Sequence, residues 1–171
     1  MTITRICVPN IKPTEKEVIK VRVPVATTLF QGSQVVCESL ENTTTRSIYA
    51  GTLVANLTDS PCLVINQGVY EDANGARVEG YVNPGSFTYQ AGDVITVIRP
   101  QQDLIFTLTA DCYTGTAIKD QYLVPAVAGE KLAVSSTVGT AKVVYQIEQL
   151  VTVPVGNAFI AGALVRIVTG R

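Results

Sequence analysis

Histidine is absent from all 171 residues. With it go the commonest general base and the imidazole metal ligand, so no Ser-His or Cys-His pair and no His-containing zinc site can form from this chain. Tryptophan is absent too, and aromatic residues amount to 6%, which leaves no evident stacking platform for bases or sugars. Charge is scarce: 16% of residues are charged against about 25% in an average soluble domain, and the net charge is −1. The chain as a whole has no cationic field to attract a phosphate backbone, so nucleic acid is not an expected partner. Long hydrophobic runs are missing as well, and no membrane partner is expected. The start, Met1 to Pro9, lacks the basic region and continuous apolar stretch of a secretory signal; synthesis and residence in a cytoplasm are the expectation, and the sequons at Asn42 and Asn56 read as chance.

Four cysteines, Cys7, Cys37, Cys62 and Cys112, lie far apart in sequence, with no Cys-x-x-Cys pair. Metal ligation is therefore not expected. Each sits beside apolar or β-forming neighbours, as in Val35-Val36-Cys37 and Cys62-Leu63-Val64, which suits small buried hydrophobes held as reduced thiols. Two disulfides formed after release into an oxidising medium are the rival reading, and spacing does not choose a pairing.

What the chain has in quantity is short Val/Ile/Thr/Tyr runs separated by Gly, Pro, Asn and Asp. Alternation over Thr2–Val8 and Glu17–Val25 predicts two strands solvated on one side, joined by a proline-containing connector from Pro9 to Thr14. From residue 28 strands are predicted at Leu29–Ser39, Ser47–Leu53, Cys62–Tyr70, Ala76–Tyr81, Ser86–Tyr89, Asp93–Arg99, Leu104–Leu108, Gln121–Val124, Lys131–Ser135, Lys142–Thr152 and Ala163–Val168. Glu71-Asp72-Ala73-Asn74-Gly75 is the clearest turn and Val82-Asn83-Pro84-Gly85 a second. Only Ser39–Arg46 and Ala110–Lys119 leave room for a short helix. The fold class expected is all-β, a compact β-sandwich or β-barrel with an extended N-terminal arm; the domain division is an arm at 1–25 and a body at 26–171.

A faint internal echo runs through the body. Val23-Pro24, Val124-Pro125 and Val153-Pro154 each precede a glycine and then an apolar strand, reading as an extended X-Pro step, a turn and a return to the core. A β-barrel or sandwich produces such an echo without any duplication.

Catalytic constellations are hard to find. There is no Ser-x-x-Lys, no Gly-x-Ser-x-Gly and no P-loop spacing around Gly115 or Gly139-Thr140-Ala141-Lys142. Asp93, Asp103, Asp111 and Asp120 recur at intervals that place some of them at one end of neighbouring strands, as a carboxylate-dependent hydrolase on a jelly roll would require. Turn formation explains the same residues more simply. Phe87 and Tyr89 share one strand face and read as core. No enzyme activity, no cofactor and no metal is expected.

The charges are unevenly placed. Residues 1–22 hold Arg5, Lys12, Lys16, Lys20 and Arg22 against Glu15 and Glu17, a net of +3, which leaves −4 on the remainder. This basic segment reads either as an arm lying on an acidic protein surface or as an edge strand guarded by lysine. The tail is apolar from Phe159 to Val168, and a low-charge β body of this kind avoids edge-to-edge sticking by burying its edges in a symmetric assembly.

The Ala/Gly/Val/Thr-rich texture, the Val-Pro steps, the Ala91-Gly92-Asp93 and Ala128-Gly129-Glu130 turns and the closing Ala163-Leu164-Val165-Arg166-Ile167-Val168 resemble tailed-bacteriophage head decoration, or cement, proteins over residues 26–171. The resemblance implies a β-rich homo-oligomer, with a trimer favoured, on the outer capsid surface of a virion. There it would clamp neighbouring copies of the major capsid protein, with Arg5, Lys12, Lys16, Lys20 and Arg22 as the candidate capsid-contact arm. Four cysteines and a greater length depart from the shortest members of that family. Another virion component, such as a head fibre, tail tube or baseplate subunit, shares the same texture.

Overall fold

The computed structural model describes residues 5–10, 18–41, 47–65, 69–79, 88–155 and 157–169. The described chain is almost entirely β. It opens with β1 (Cys7–Pro9), β2 (Val18–Arg22), β3 (Gln34–Glu41), β4 (Ile48–Thr52) and β5 (Cys62–Val64), then β6 (Val69–Glu71), β7 (Arg77–Glu79) and β8 (Val94–Ile98). It continues with β9 (Ile105–Thr109), β10 (Tyr113–Thr114), β11 (Tyr122–Pro125), β12 (Leu132–Ser135), β13 (Val143–Val155) and β14 (Ala158–Thr169). The helix considered at Ala110–Lys119 reduces to one 3-10 turn, Ala110–Cys112. Of the other helix candidate, residues 39–41 belong to β3 and 42–46 lie outside the described residues.

Strands β2, β4, β3, β5 and β8 are hydrogen-bonded in that order, and β8 returns to β2, closing a five-stranded barrel. The β6–β7 hairpin hangs from β8 through Glu71 and Val94. Its turn is the one read from Asn74-Gly75: the Asp72 carboxylate accepts from the N–H groups of Asn74 and Ala76, and Gly75 takes φ +81°. The second predicted turn, at 82–85, lies outside the described residues. The remaining seven strands form a second sheet, ordered β1-β9-β14-β13-β11-β12-β10.

Each sheet has its own core, and β5 and β8 face both. In β5 all three residues are buried: Cys62 and Val64 point into the barrel, while Leu63 joins the second core. In β8, Ile95 and Val97 point into the barrel and Ile98 the other way. A strand covered on both faces has no use for polar alternation, which is why Val94-Ile95-Thr96-Val97-Ile98 reads as a near-continuous apolar run. Val21, Val23, Val35, Leu29 and Tyr89 complete the barrel interior. Phe106, Leu108, Leu123, Leu132, Tyr145, Ile147, Val165 and Ile167 fill the second core.

Within the segment 1–25, β1 pairs antiparallel with β9, and β2 is a stave of the barrel. Where it is described, the segment is thus part of the two sheets, with Cys7 and Val21 fully buried. Residues 1–4 and 11–17 lie outside the described residues. The Val-Pro echo is structural at two of its three sites. The Pro24 carbonyl accepts from Thr27 N–H and the Ala126 carbonyl from Gly129 N–H, with Ala26 and Ala128 left-handed at φ 58° and 56°. The third site departs from the pattern, because Pro154 lies inside β13.

The two sheets are pinned together by a buried polar network. Arg5 grips Glu130 with both terminal nitrogens, Nη1 on Oε2 and Nη2 on Oε1 at 2.7 Å, while Ser33 Oγ donates to Oε2 at 2.6 Å. Phe30 N–H donates to Ser33 Oγ, and the guanidinium lies 4.1 Å from the Phe30 ring centroid. Gln34 N–H reaches the Glu130 carbonyl at 2.8 Å. Arg5 is 3% exposed and Glu130 24%, so water screens this pair weakly. At Gly32, φ +75°, a β-carbon would stand 2.6 Å from Cys112 Sγ; the two sheets meet closely there only because no side chain intervenes.

Burial pushes the Glu130 carboxyl up, but the bonds from Arg5 and Ser33 and the Arg5 charge outweigh it and hold the carboxyl below its usual value near 4.5. A lowered folded pKa supplies stability above the unfolded value that is lost as pH falls through the folded one. Arg5→Met, which strands the carboxylate, is expected to cost about 3–5 kcal/mol at neutral pH. The stability gap between wild type and Glu130→Gln is expected to narrow as pH drops below 4.5. Urea unfolding of the three proteins across that range is the check; a gap independent of pH would show that ionised Glu130 contributes nothing.

Candidate functional site

Of the five cations singled out in the sequence three are described, and Arg5 stands apart from the other two. Arg5 is committed to Glu130 in the interior. Arg22 donates from Nε to Glu41 at 2.7 Å and from Nη1 to the Gly92 carbonyl at 2.9 Å. Being half-exposed, that pair contributes about 0–1 kcal/mol. Lys20 is on the exposed side of β2, opposite Thr96. Lys12 and Lys16 lie outside the described residues.

The recurring aspartates occupy turns. Asp103 and Asp120 are both left-handed at φ 68°, and their N–H groups donate to the carbonyls of Ile167 and Ile147. Asp111 lies in the 3-10 turn. Asp93 accepts from Gln90 N–H at 2.8 Å; burial, aided by Asp72, pushes its carboxyl up. Among the described residues no group of three Cys, Asp or Glu side chains gathers as a cation site, and no helix is long and apolar enough to cross a membrane. Tyr89 is buried in the barrel as the strand-face reading expects, while Phe87 lies outside the described residues.

The surface that stands out is the β13–β14 hairpin. At its base both strands are held by neighbours: Tyr145 and Gln146 pair with β11, and residues 162–166 with β9. At Glu148 a β-bulge shifts the register between Ile147/Val165 and Gln149/Leu164, and the bulged residue forms an ion pair with Arg166 at 2.5 Å. Bulges increase local twist and turn a strand out of its sheet. Beyond it, Leu150 and Val151 pair with Ala163 and Gly162, which β9 also holds, and residues 152–155 and 158–161 pair only with one another.

No charged residue stands between Glu148 and Arg166. Leu150, Thr152, Pro154, Phe159 and Ala161 share one face of this ribbon; Val151, Val153, Val155, Ala158 and Ile160 share the other. Leu150 is 52% and Phe159 77% exposed. A two-stranded ribbon is marginal in water by itself; here the Val151, Val153 and Ile160 face is half-buried and the Leu150 and Phe159 face is open.

Sequence reasoning predicted strands at Lys142–Thr152 and Ala163–Val168 and did not join them, because Pro154 breaks the pattern of a central strand. The proline is tolerated because the outer edge of the ribbon has no further strand waiting for its N–H. The absence of charge from 149 to 165 was the available signal. Gly162 sits where the ribbon leaves the sheet, and a β-carbon there would meet the Leu108 carbonyl oxygen at 2.4 Å. The cysteines are all free thiols, with Cys7 and Cys112 flanking Gly32 in the interior.

Comparison with family models, with curated proteins and with solved structures found no match.

Gly162→Ala is expected to destabilise the protein by about 1–3 kcal/mol, because the clash is with backbone and the paired strands must move apart. Thermal unfolding measures it; an unchanged midpoint would mean that the β9–β14 contact has room for a methyl group.

Proposed function

We propose that this chain is a structural virion protein that decorates a bacteriophage capsid, binding copies of the major capsid protein and of itself through the β13–β14 ribbon. The observation that carries this reading is the uncharged stretch between Glu148 and Arg166, whose outer part at 152–155 and 158–161 folds into a two-stranded extension with apolar residues on both faces. Hydrophobic burial is roughly proportional to area, so an element with both faces apolar gains most when it is enclosed between partners. The sheet edges fit the same reading: β1 has three residues and carries Pro9, and β10 has two, so neither offers a long edge for indiscriminate strand addition. Specific association then falls to the ribbon. A scarcely charged surface suits a subunit that lives covered in a symmetric shell. A homo-oligomer, with a trimer favoured, on the outer face of the head is the arrangement proposed.

The test is the double variant Leu150→Asp, Phe159→Asp. Both side chains are exposed, so the free protein's melting temperature is expected to change little. The amount co-sedimenting with assembled heads is expected to fall at least about tenfold, the effect of 1.4 kcal/mol. Undiminished binding by the folded variant would overturn the proposal.

A further inference from the structure

Apart from the ribbon, one cluster of reactive side chains has no role in the fold described so far. Val35 pairs with Cys62 across β3 and β5, and Cys37 follows Val35 by two residues, so the two thiols are diagonal neighbours on one sheet face. Their sulfurs are 3.3 Å apart, in hydrogen-bond contact. Cys62 is buried behind Cys37, which is partly buried. Both line a cavity of about 370 Å³ together with Ser60, Arg99 and Lys142, and among the described residues no carboxylate lines it. The β3–β4 register breaks just after Cys37, which loosens the backbone on the side that must move.

A partly buried thiol at a cavity, with a more deeply buried thiol behind it and two cations beside it, is the arrangement of an attacking and a resolving cysteine. The hydrogen bond shared with Cys62 favours the Cys37 thiolate, partial burial opposes it and Arg99 favours it again; the net effect sets Cys37 below its ordinary value, while the same hydrogen bond and burial push Cys62 up. Low thiolate pKa together with access is what makes a cysteine reactive. Cys7 and Cys112 lack both: burial raises each, Cys112 to about 11, and neither reaches solvent.

We propose that Cys37 and Cys62 form a thiol–disulfide exchange site that accepts an anionic small-molecule disulfide and closes into an intramolecular disulfide joining β3 to β5. The Cys37 thiolate attacks one sulfur of the small disulfide, forming a mixed disulfide and releasing one thiolate. Cys62 then attacks Cys37 Sγ and expels the second half of the small molecule, which takes the Cys62 proton and leaves as a thiol. The protein's two thiols are oxidised by two electrons, and the small disulfide is reduced to two thiols. To reach a bond length of about 2.05 Å the sulfurs approach by roughly 1.3 Å, through side-chain rotation together with a shift of the β3 backbone where its register breaks after Cys37. Arg99 and Lys142 select the charge of the reagent, since they place positive potential where its carboxylates enter.

The experiment treats the folded, reduced protein with oxidised glutathione, and separately with cationic cystamine, and follows intact mass and disulfide-mapped peptides. The expected result is a product lighter by two hydrogens, without retained glutathione, and a Cys37–Cys62 peptide link. Cys62→Ser is expected to retain one glutathione on Cys37; Arg99→Gln is expected to slow the glutathione reaction several-fold relative to the cystamine reaction. A wild-type protein that stays reduced, or that carries adducts on Cys7 or Cys112 instead, would overturn the proposal. So would a folded Cys62→Ser protein that takes no glutathione. Should that variant fail to fold by circular dichroism, the wild-type peptide map decides alone.

Discussion

Arg5, Ser33 and Glu130 come from the amino-terminal segment, the barrel and the second sheet, and they meet in one hydrogen-bonded network around a single carboxylate. Burying a carboxylate is unfavourable unless every lone pair finds a donor, so the network tolerates little displacement of any of the three segments. That intolerance sets the orientation of the two sheets. Hydrophobic packing alone is non-directional and would permit sliding of one core over the other. The Gln34 N–H bond to the Glu130 carbonyl and the close approach at Gly32 add backbone contacts at the same junction.

Around this pin the apolar material divides in an orderly way. Strands β5 and β8 are covered on both sides and serve as a common wall between the cores, which couples the barrel to the second sheet without a linker. Some of the apolar residues that neither core absorbs lie beyond the Glu148 bulge, Leu150 and Phe159 among them. A chain with so few charges has little freedom to solvate a projecting element, and the assembly proposal follows from that imbalance. The thiol pair belongs to the same wall: Cys62 faces the barrel interior from β5, so closing it onto Cys37 would cross-link the barrel close to the shared strands.

Much of the fold was legible because period-two patterning and turn chemistry act locally. The Asp72-to-Gly75 turn, the strands around Val94–Ile98 and Ile105–Thr109, and the all-β class are consequences of residues within a few positions of one another. Local signals failed where a distant partner decides. The basic residues at 5 and 22 look like exposed cations until Glu130 and Glu41 arrive from elsewhere in the fold. Pro154 looks like a strand terminator until the ribbon is seen to have a free outer edge.

By itself the sequence determined the absence of imidazole chemistry, the β class and the shortage of charge, since these rest on composition and on short-range sterics. Tertiary structure alone decided that five strands close into a barrel, that Cys37 meets Cys62, and that within the uncharged stretch residues 152–155 and 158–161 extend past the sheet while Ala163 and Val165 are buried in it. Each of these depends on contacts between residues far apart in the chain. Such contacts are set by which surfaces bury together, and periodicity within a segment carries no record of that choice.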